Sequence, residues 1–370
     1  MRVVIAPDCF GGTLTAAEAA SAIADGWRRG APEHDVVLRP LADGGPGFVA
    51  VLHAALGGEL HTETVSGPLG EPVRATWLGH DGTAYIESAE AAGLHLVPKD
   101  RRAESCERAT TYGVGQLLAA ARDRGYRRAV IGLGGSATTD GGAGLFAALG
   151  AIAVGEDGAP LPTGGSALAG CARIDGDLEL GGLDEVVAAS DVTNPLLGEH
   201  GAAVTFGPQK GADAEAVARL EAGMTRWADV LADRSKPIAD VEAAGAAGGL
   251  GAALLAIGAV PTSGAGLVRA STGLDSAVAG ADLVITGEGS FDWQSLRGKL
   301  VTGVAAAAAE RGVPCLALSG QASVGRTQAA SVGIAEVHSV SQHVGSVEQA
   351  MADPAATLAD LAEHVARQWR

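Results

Sequence analysis

Apolar and polar positions follow two rhythms along this chain. At the start, residues 3–6 form a β-branched run that stops at Pro7-Asp8. Thr15-x-x-Glu18 is a capping box, after which Ala19, Ala20, Ile23 and Trp27 recur at helical spacing until Gly30. A second strand at 36–38 leads through Asp43-Gly44-Gly45-Pro46-Gly47 into a helix that runs through Leu56. This β-α-β-α pattern sets Asp8 and Asp43 at strand ends, where open α/β sheets bind ligands. Either aspartate alone would also serve as an ordinary helix cap.

After about residue 58 the pattern changes. Short alternating strands follow within 61–70, 73–79 and 83–88, the last two joined by the Asp81-Gly82 turn signal. A helix at 111–124 precedes the apolar run 129–133. Residues 185–190 are a strand ending in Asp191-Val192-Thr193-Asn194-Pro195, and a β-like piece at 203–206 precedes Gly207-Pro208-Gln209-Lys210-Gly211. Residues 213–233 carry an amphipathic stripe of Val217, Leu220, Met224, Trp227 and Leu231, and 245–251 is a glycine-rich helix start. From 281 the first rhythm returns: strands at 282–286, 313–319 and 336–339, a helix at 303–311, and one long helix from about 346. The expectation is one α/β domain built from both ends of the chain, with a second domain inserted between about 60 and 265. The cleft between them is the expected site.

Between the strand at 129–133 and a helix starting at Ala143 lie Gly134-Gly135-Ser136 and Asp140-Gly141-Gly142, with six glycines within residues 132–144. Glycine costs conformational entropy on folding, so bare backbone must be needed there. A glycine turn at a helix start can receive phosphate on its N–H groups, and tight helix–sheet packing would use the same residues. The spacing is neither GxxxxGK[ST] nor GxGxxG followed by an acidic residue, which argues against a dinucleotide-dependent oxidoreductase.

Composition narrows the field. The 370 residues include 26 basic and 43 acidic ones, a net charge of −17, with 47% hydrophobic residues and 55 glycines. Such a balance argues against a nucleic-acid surface, and an anionic small-molecule substrate then needs a local positive site. Cys9, Cys106, Cys171 and Cys315 lack metal-type spacing. No apolar stretch is long enough to span a membrane and Asp8 interrupts the first apolar run, so a cytoplasmic protein is expected. A homodimer is compatible with all of this.

Asp8, Asp43, Asp140, Asp191, Glu288 and Asp292 all sit in glycine-rich turns after strands. Gathered together they would repel unless a cation lay among them or some were protonated. With the isolated lysines Lys210 and Lys299, that set suits phosphoryl transfer assisted by Mg²⁺. The segments APDCFGGTLTAAEAA, PLADGG, GLGGSATTDGGAG, SDVTNPLLG, GPQKGA, GAAGGLGAAL and ADLVITGEGSFDWQSLRGK resemble the glycerate kinase family of the two-domain bacterial glycerate 2-kinase type, over nearly the whole chain.

The resemblance implies ATP-dependent phosphorylation of glycerate, with Mg²⁺, by a flavodoxin- or Rossmann-like parallel-sheet domain (1–60 plus 265–370) and an inserted mixed α/β domain (61–264). Asp191, Asp8, Asp43 and Lys210 are then the expected catalytic residues. Gly134, Gly135, Ser136, Asn194, Thr286, Gly287 and Lys299 are expected to bind nucleotide or phosphate, and Glu288 and Asp292 the metal. Gly11, Pro46 and Arg297 are expected to recognise substrate. The chain departs from the family pattern at four places. Cys9 and Gly11 stand where a serine and a lysine are usual, Pro46 where an acid is, and Thr139 where an asparagine is. These departures admit a cyclitol or sugar-like polyol, with or without a phosphate, as acceptor, or a non-catalytic nucleotide sensor.

Overall fold

The computed structural model describes residues 1–369 apart from 294, 297 and 298. Two compact units share the chain: Met1–Asp43, Ala50–Leu56 and Ala265–Arg370 form the first, Gly44–Val49 and Gly57–Gly264 the second.

The first unit holds an all-parallel sheet. Its strands run Asp35–Leu38, Arg2–Ile5, Leu283–Thr286, Cys315–Ser319 and Glu336–Ser339 from edge to edge, the doubly wound order 2-1-3-4-5 of flavodoxin-like folds. Val3, Val4, Ile5, Leu283, Val284 and Ile285 are fully buried, because helices cover both faces of such a sheet. The helix Ala16–Gly30 starts at the Thr15/Glu18 capping box and buries Ile23 and Trp27. It lies so close to Pro354–Ala366 that a Cβ on Gly26 would collide with the Ala359 carbonyl.

Two helix boundaries differ from expectation. The single closing helix is two, Val347–Ala352 and Pro354–Ala366. The break falls at Asp353, which caps the second helix through Ala356 N–H, while Pro354, lacking an N–H, takes its first turn. The helix expected at 303–311 begins earlier, as Lys299–Ala309.

The second unit is built on a mixed sheet in the order Val260–Thr262, Glu185–Ala189, Arg128–Gly132, Thr83–Glu87, Pro72–His80, Glu59–Ser66. The first four strands are parallel and the last two close it as antiparallel hairpins. The strand Val260–Thr262 and the small hairpin Ile152–Val154 with Arg173–Asp175 carry too little alternation to stand out in the sequence. The β-like piece at 203–206 is a helix, Ala202–Phe206. Ala203 joins Ala216 and Leu220 of the helix Ala214–Ala232 in a small core, and helical geometry sets its side chain against that stripe. Among the described residues no helix is long and apolar enough to cross a membrane.

Candidate active site

In the first unit, hydrogen bonding continues past the strand ends and sets the acidic loops. Ala6 N–H donates to the Ile285 carbonyl at 2.7 Å, and Asp8 N–H to the Gly287 carbonyl at 2.8 Å. Thr286, fully buried, donates its hydroxyl to the Ala6 carbonyl at 3.0 Å, and a Cβ on Gly287 would collide with the Leu318 carbonyl. Both residues, expected at the nucleotide, are thus committed to holding strand ends together.

These constraints bring Asp8, Asp43 and Glu288 within reach of one another's charge. Burial raises the Asp8 pKa to about 8, with Asp43 and Glu288 adding to the rise and the Cys9 N–H, 2.7 Å from Oδ1, opposing it. Burial likewise raises Glu288 to about 7, against a hydrogen bond from Ser295, with Asp292 and Asp43 pushing upward. Its Oε1 is buried and has no hydrogen-bond partner among the described residues. Asp292 and Ser295 close their loop reciprocally: Asp292 N–H donates to Ser295 Oγ at 3.0 Å, and Ser295 N–H to Asp292 Oδ1 at 3.3 Å. The Cys9 thiol is pushed up to about 12 by burial and by Asp8, so it stays protonated. A Cβ on Gly11 would meet nothing within 4 Å. Arg297 lies outside the described residues, as does the side chain of Lys299, whose backbone opens the helix Lys299–Ala309.

The second unit carries the glycine stretch. Gly134 N–H donates to the Gly44 carbonyl at 3.1 Å, and a Cβ on Gly134 would collide with the Gly45 backbone. Gly135 has φ +70°, and a Cβ there would sit 2.8 Å from the Pro46 ring. Two glycine loops therefore pack backbone to backbone, and this accounts for much of the glycine. Gly135 is exposed, and the N–H groups of Gly135 and Ser136 take no partner among the described residues.

Lys210, expected among the catalytic side chains, is buried beneath this loop. Its Nζ donates to Ser136 Oγ at 3.1 Å and to the Thr138 carbonyl. Burial lowers its pKa to about 7, with Asp140 acting the other way. Asp140 is 1% exposed and accepts from Thr111 N–H and Oγ1, Gly142 N–H and Gly144 N–H at 2.7 to 3.2 Å. It is the hub of the turn, unlike the open carboxylate its strand-end position suggested.

Asp191 is half-buried beyond the strand Glu185–Ala189 and accepts from Ser263 Oγ at 2.6 Å. Asn194 donates to the His200 carbonyl at 2.8 Å, closing a turn. Glu87 has a larger part than its sequence position suggested: 4% exposed, it accepts from Gly47 and Val49 N–H at 3.1 and 3.4 Å. Burial and Glu90 raise its pKa to about 8. The two small side chains that follow it, Ser88 and Ala89, gave no hint of such burial; only the β-branched run before it did. Among the described residues no group of three or more His, Cys, Asp or Glu side chains is arranged to hold a metal ion.

The family described as the Glycerate kinase family matches residues 3–370. A glycerate kinase of Halalkalibacterium halodurans is 42% identical over 370 residues, covering 98% of this chain and 97% of that one. The glycerate 2-kinase of Escherichia coli K12 is 40% identical over 360 residues, covering 95% and 93%. A crystal structure described as glycerate kinase 2 from Salmonella typhimurium LT2 superposes with a TM-score of 0.80 at 38% identity, over 100% of this chain and 98% of that one. The protein is a phosphotransferase with an alcohol group as acceptor. It belongs to the glycerate kinase family.

Proposed function

We propose that this protein transfers the γ-phosphoryl group of ATP to a hydroxyl of glycerate, in the cytoplasm and with Mg²⁺. The observation that carries the reading is the trio Asp8, Asp43 and Glu288, three carboxylates at the ends of parallel strands within reach of one another's charge. The repulsion within such a set is relieved by a proton, as the raised pKa values of Asp8 and Glu288 reflect, or by a bound cation. Carboxylate oxygens are the hard donors Mg²⁺ prefers, and the unpartnered Oε1 of Glu288 suits that use. Glu288 and Asp292 would hold the ion, which when bound neutralises charge on the transferring group.

The chain's own part is positioning and proton acceptance. A carboxylate of the Asp8–Asp43 pair, or Asp191 held by Ser263, takes the acceptor's hydroxyl proton. The alcohol oxygen bonds to the γ-phosphorus as the bond to the β-phosphate oxygen breaks, and ADP leaves. Gly135 and Ser136 offer two N–H groups to an anion, on a loop braced from below by Lys210.

A cyclitol or sugar-like polyol as acceptor is the second reading, favoured by the open space at Gly11. The test is ADP release with Mg²⁺-ATP and D-glycerate, beside a panel of cyclitols and their phosphates. Turnover of glycerate at roughly 1–100 s⁻¹ supports the first reading. Turnover only of a cyclitol moves the acceptor, and ATP turnover with none of them favours a nucleotide sensor.

A further inference from the structure

The parallel sheet of the first unit reverses its winding between Arg2–Ile5 and Leu283–Thr286. One side of Arg2–Ile5 carries Asp35–Leu38, next along the chain; the other carries a strand some 280 residues later. In doubly wound sheets the crevice beyond the carboxyl ends at such a reversal receives ligands. A cavity of about 430 Å³ opens there, within the usual range of small-molecule pockets.

Its two sides differ in chemistry. The strand-end side comprises Cys9 and Gly11 after the first strand, Glu288 and Gly289 after the third, and Gly320 and Gln321 after the fourth. This side is preformed: Gly320 N–H donates to the Glu288 carbonyl at 3.2 Å and Gln321 N–H to the Gly289 carbonyl at 3.0 Å. The opposite wall is apolar, made by Val340, Val347, Ala350, Met351 and Leu358. Val347 and Met351 are 44% and 57% exposed, large apolar side chains left open at the rim.

No lysine, arginine or histidine lines the cavity among the described residues, whereas the acidic Glu288 does. An anionic hydroxy acid gains nothing from such a lining, and a cyclitol, polar all round, would waste the apolar wall. A flat, uncharged heteroaromatic ring with polar edges matches both sides. Gln321, exposed at the mouth, carries the amide donor and acceptor that pair with a purine edge.

We propose that this cavity takes the purine base of the phosphoryl donor, an assignment that rests on the reading of ATP as donor. Gly11 then rims the nucleotide rather than the acceptor, and the apolar helix pair Val347–Ala352 and Pro354–Ala366 is the wall that holds the base.

The test is calorimetric titration of the full chain with ADP and, separately, with inorganic pyrophosphate, which has the phosphates but no base. The unmodified protein should bind ADP at least ~10-fold more tightly than pyrophosphate, the gain expected for burying one ring against apolar side chains. Met351→Asp, at an exposed rim position, should weaken ADP at least ~10-fold while leaving pyrophosphate binding and the melting temperature unchanged. Ala350→Trp, which fills the cavity, should do the same and raise KM for ATP but not for the acceptor. If the unmodified protein binds no ADP, the donor reading itself fails and the assignment falls with it. If it binds ADP but ADP is no tighter than pyrophosphate, or both variants bind ADP normally, the base lies elsewhere. A rise confined to the acceptor KM would give the cavity to the acceptor and overturn the proposal.

Discussion

Nζ of Lys210 stands 3.1 Å from Ser136 Oγ, inside the protein and against the glycine turn Gly134-Gly135-Ser136. A buried amine with two acceptors and a lowered pKa is a brace whose charge depends on its surroundings. The unfolded chain keeps the Lys210 proton up to about pH 10.5, whereas the folded chain releases it near 7. Between those values the unfolded state holds more protons, so this group's contribution to stability rises with pH. Lys210→Met lacks the effect. Denaturant unfolding of both proteins at several pH values should show the unmodified chain gaining on the variant by about 1 kcal/mol per pH unit above neutrality. A flat difference would mean that Lys210 remains charged when folded.

Glu87 gives the opposite slope. Its carboxyl holds a proton up to about pH 8 when folded, well above the ordinary 4.5. The folded state therefore binds the extra proton between those values, and the Glu87 contribution is lost as pH rises through about 8. Glu87→Gln keeps the shape and should become more stable relative to the unmodified protein as pH rises from 5 to 8. Thermal unfolding across that range decides the matter.

The contact between Gly135 and Pro46 is testable by a double-mutant cycle. Gly135→Ala forces a side chain into φ +70° and against the Pro46 ring. The backbone cost is about 1–2 kcal/mol, with a further penalty of about 1–3 kcal/mol for the overlap. Pro46→Ala in the same chain should recover at least ~0.5 kcal/mol of the second part but none of the first. Strict additivity in urea unfolding would show that the two loops are not in contact.

Asp191→Asn preserves the acceptor for Ser263 while removing the charge. If Asp191 takes the hydroxyl proton, kcat falls at least ~10²-fold with KM little changed. Near-normal kcat would leave proton acceptance to Asp8 and Asp43, and Asp8→Asn should then show the loss instead.

Glu288→Gln addresses the ion. The variant should need at least ~10-fold more Mg²⁺ for half-maximal rate, with kcat restored in part at saturating Mg²⁺. Equal Mg²⁺ dependence in the two proteins would remove Glu288 from the metal site.

The sequence made the strand-end carboxylates legible because each follows a buried β-branched run: Val3–Ile5 before Asp8, Leu283–Ile285 before Glu288. It did not reveal their differences. Asp140 reads like Asp8, yet four hydrogen bonds from the main chain and Thr111 make it a turn hub. Lys210 was legible only as an isolated lysine in the turn Gly207-Pro208-Gln209-Lys210-Gly211; only the fold shows it buried against residues more than seventy positions earlier. Gly134 and Gly135 signalled a need for bare backbone, but a ligand and a second glycine loop make the same demand. The apolar wall at Val347 and Met351 was hidden because a helical stripe normally means core.

The pairing of Ala16–Gly30 with Pro354–Ala366, and of Arg2–Ile5 with Leu283–Thr286, also bears on how the protein is made. As the chain leaves the ribosome at about 5–20 residues per second, its first strand waits some 15–55 s for the neighbour 280 residues away. Nearly all of the second unit, Gly57–Gly264, is complete before that neighbour exists. The face of Ala16–Gly30 at Gly26 and Gly30 likewise lacks its folded-state partner until Pro354–Ala366 has been synthesised.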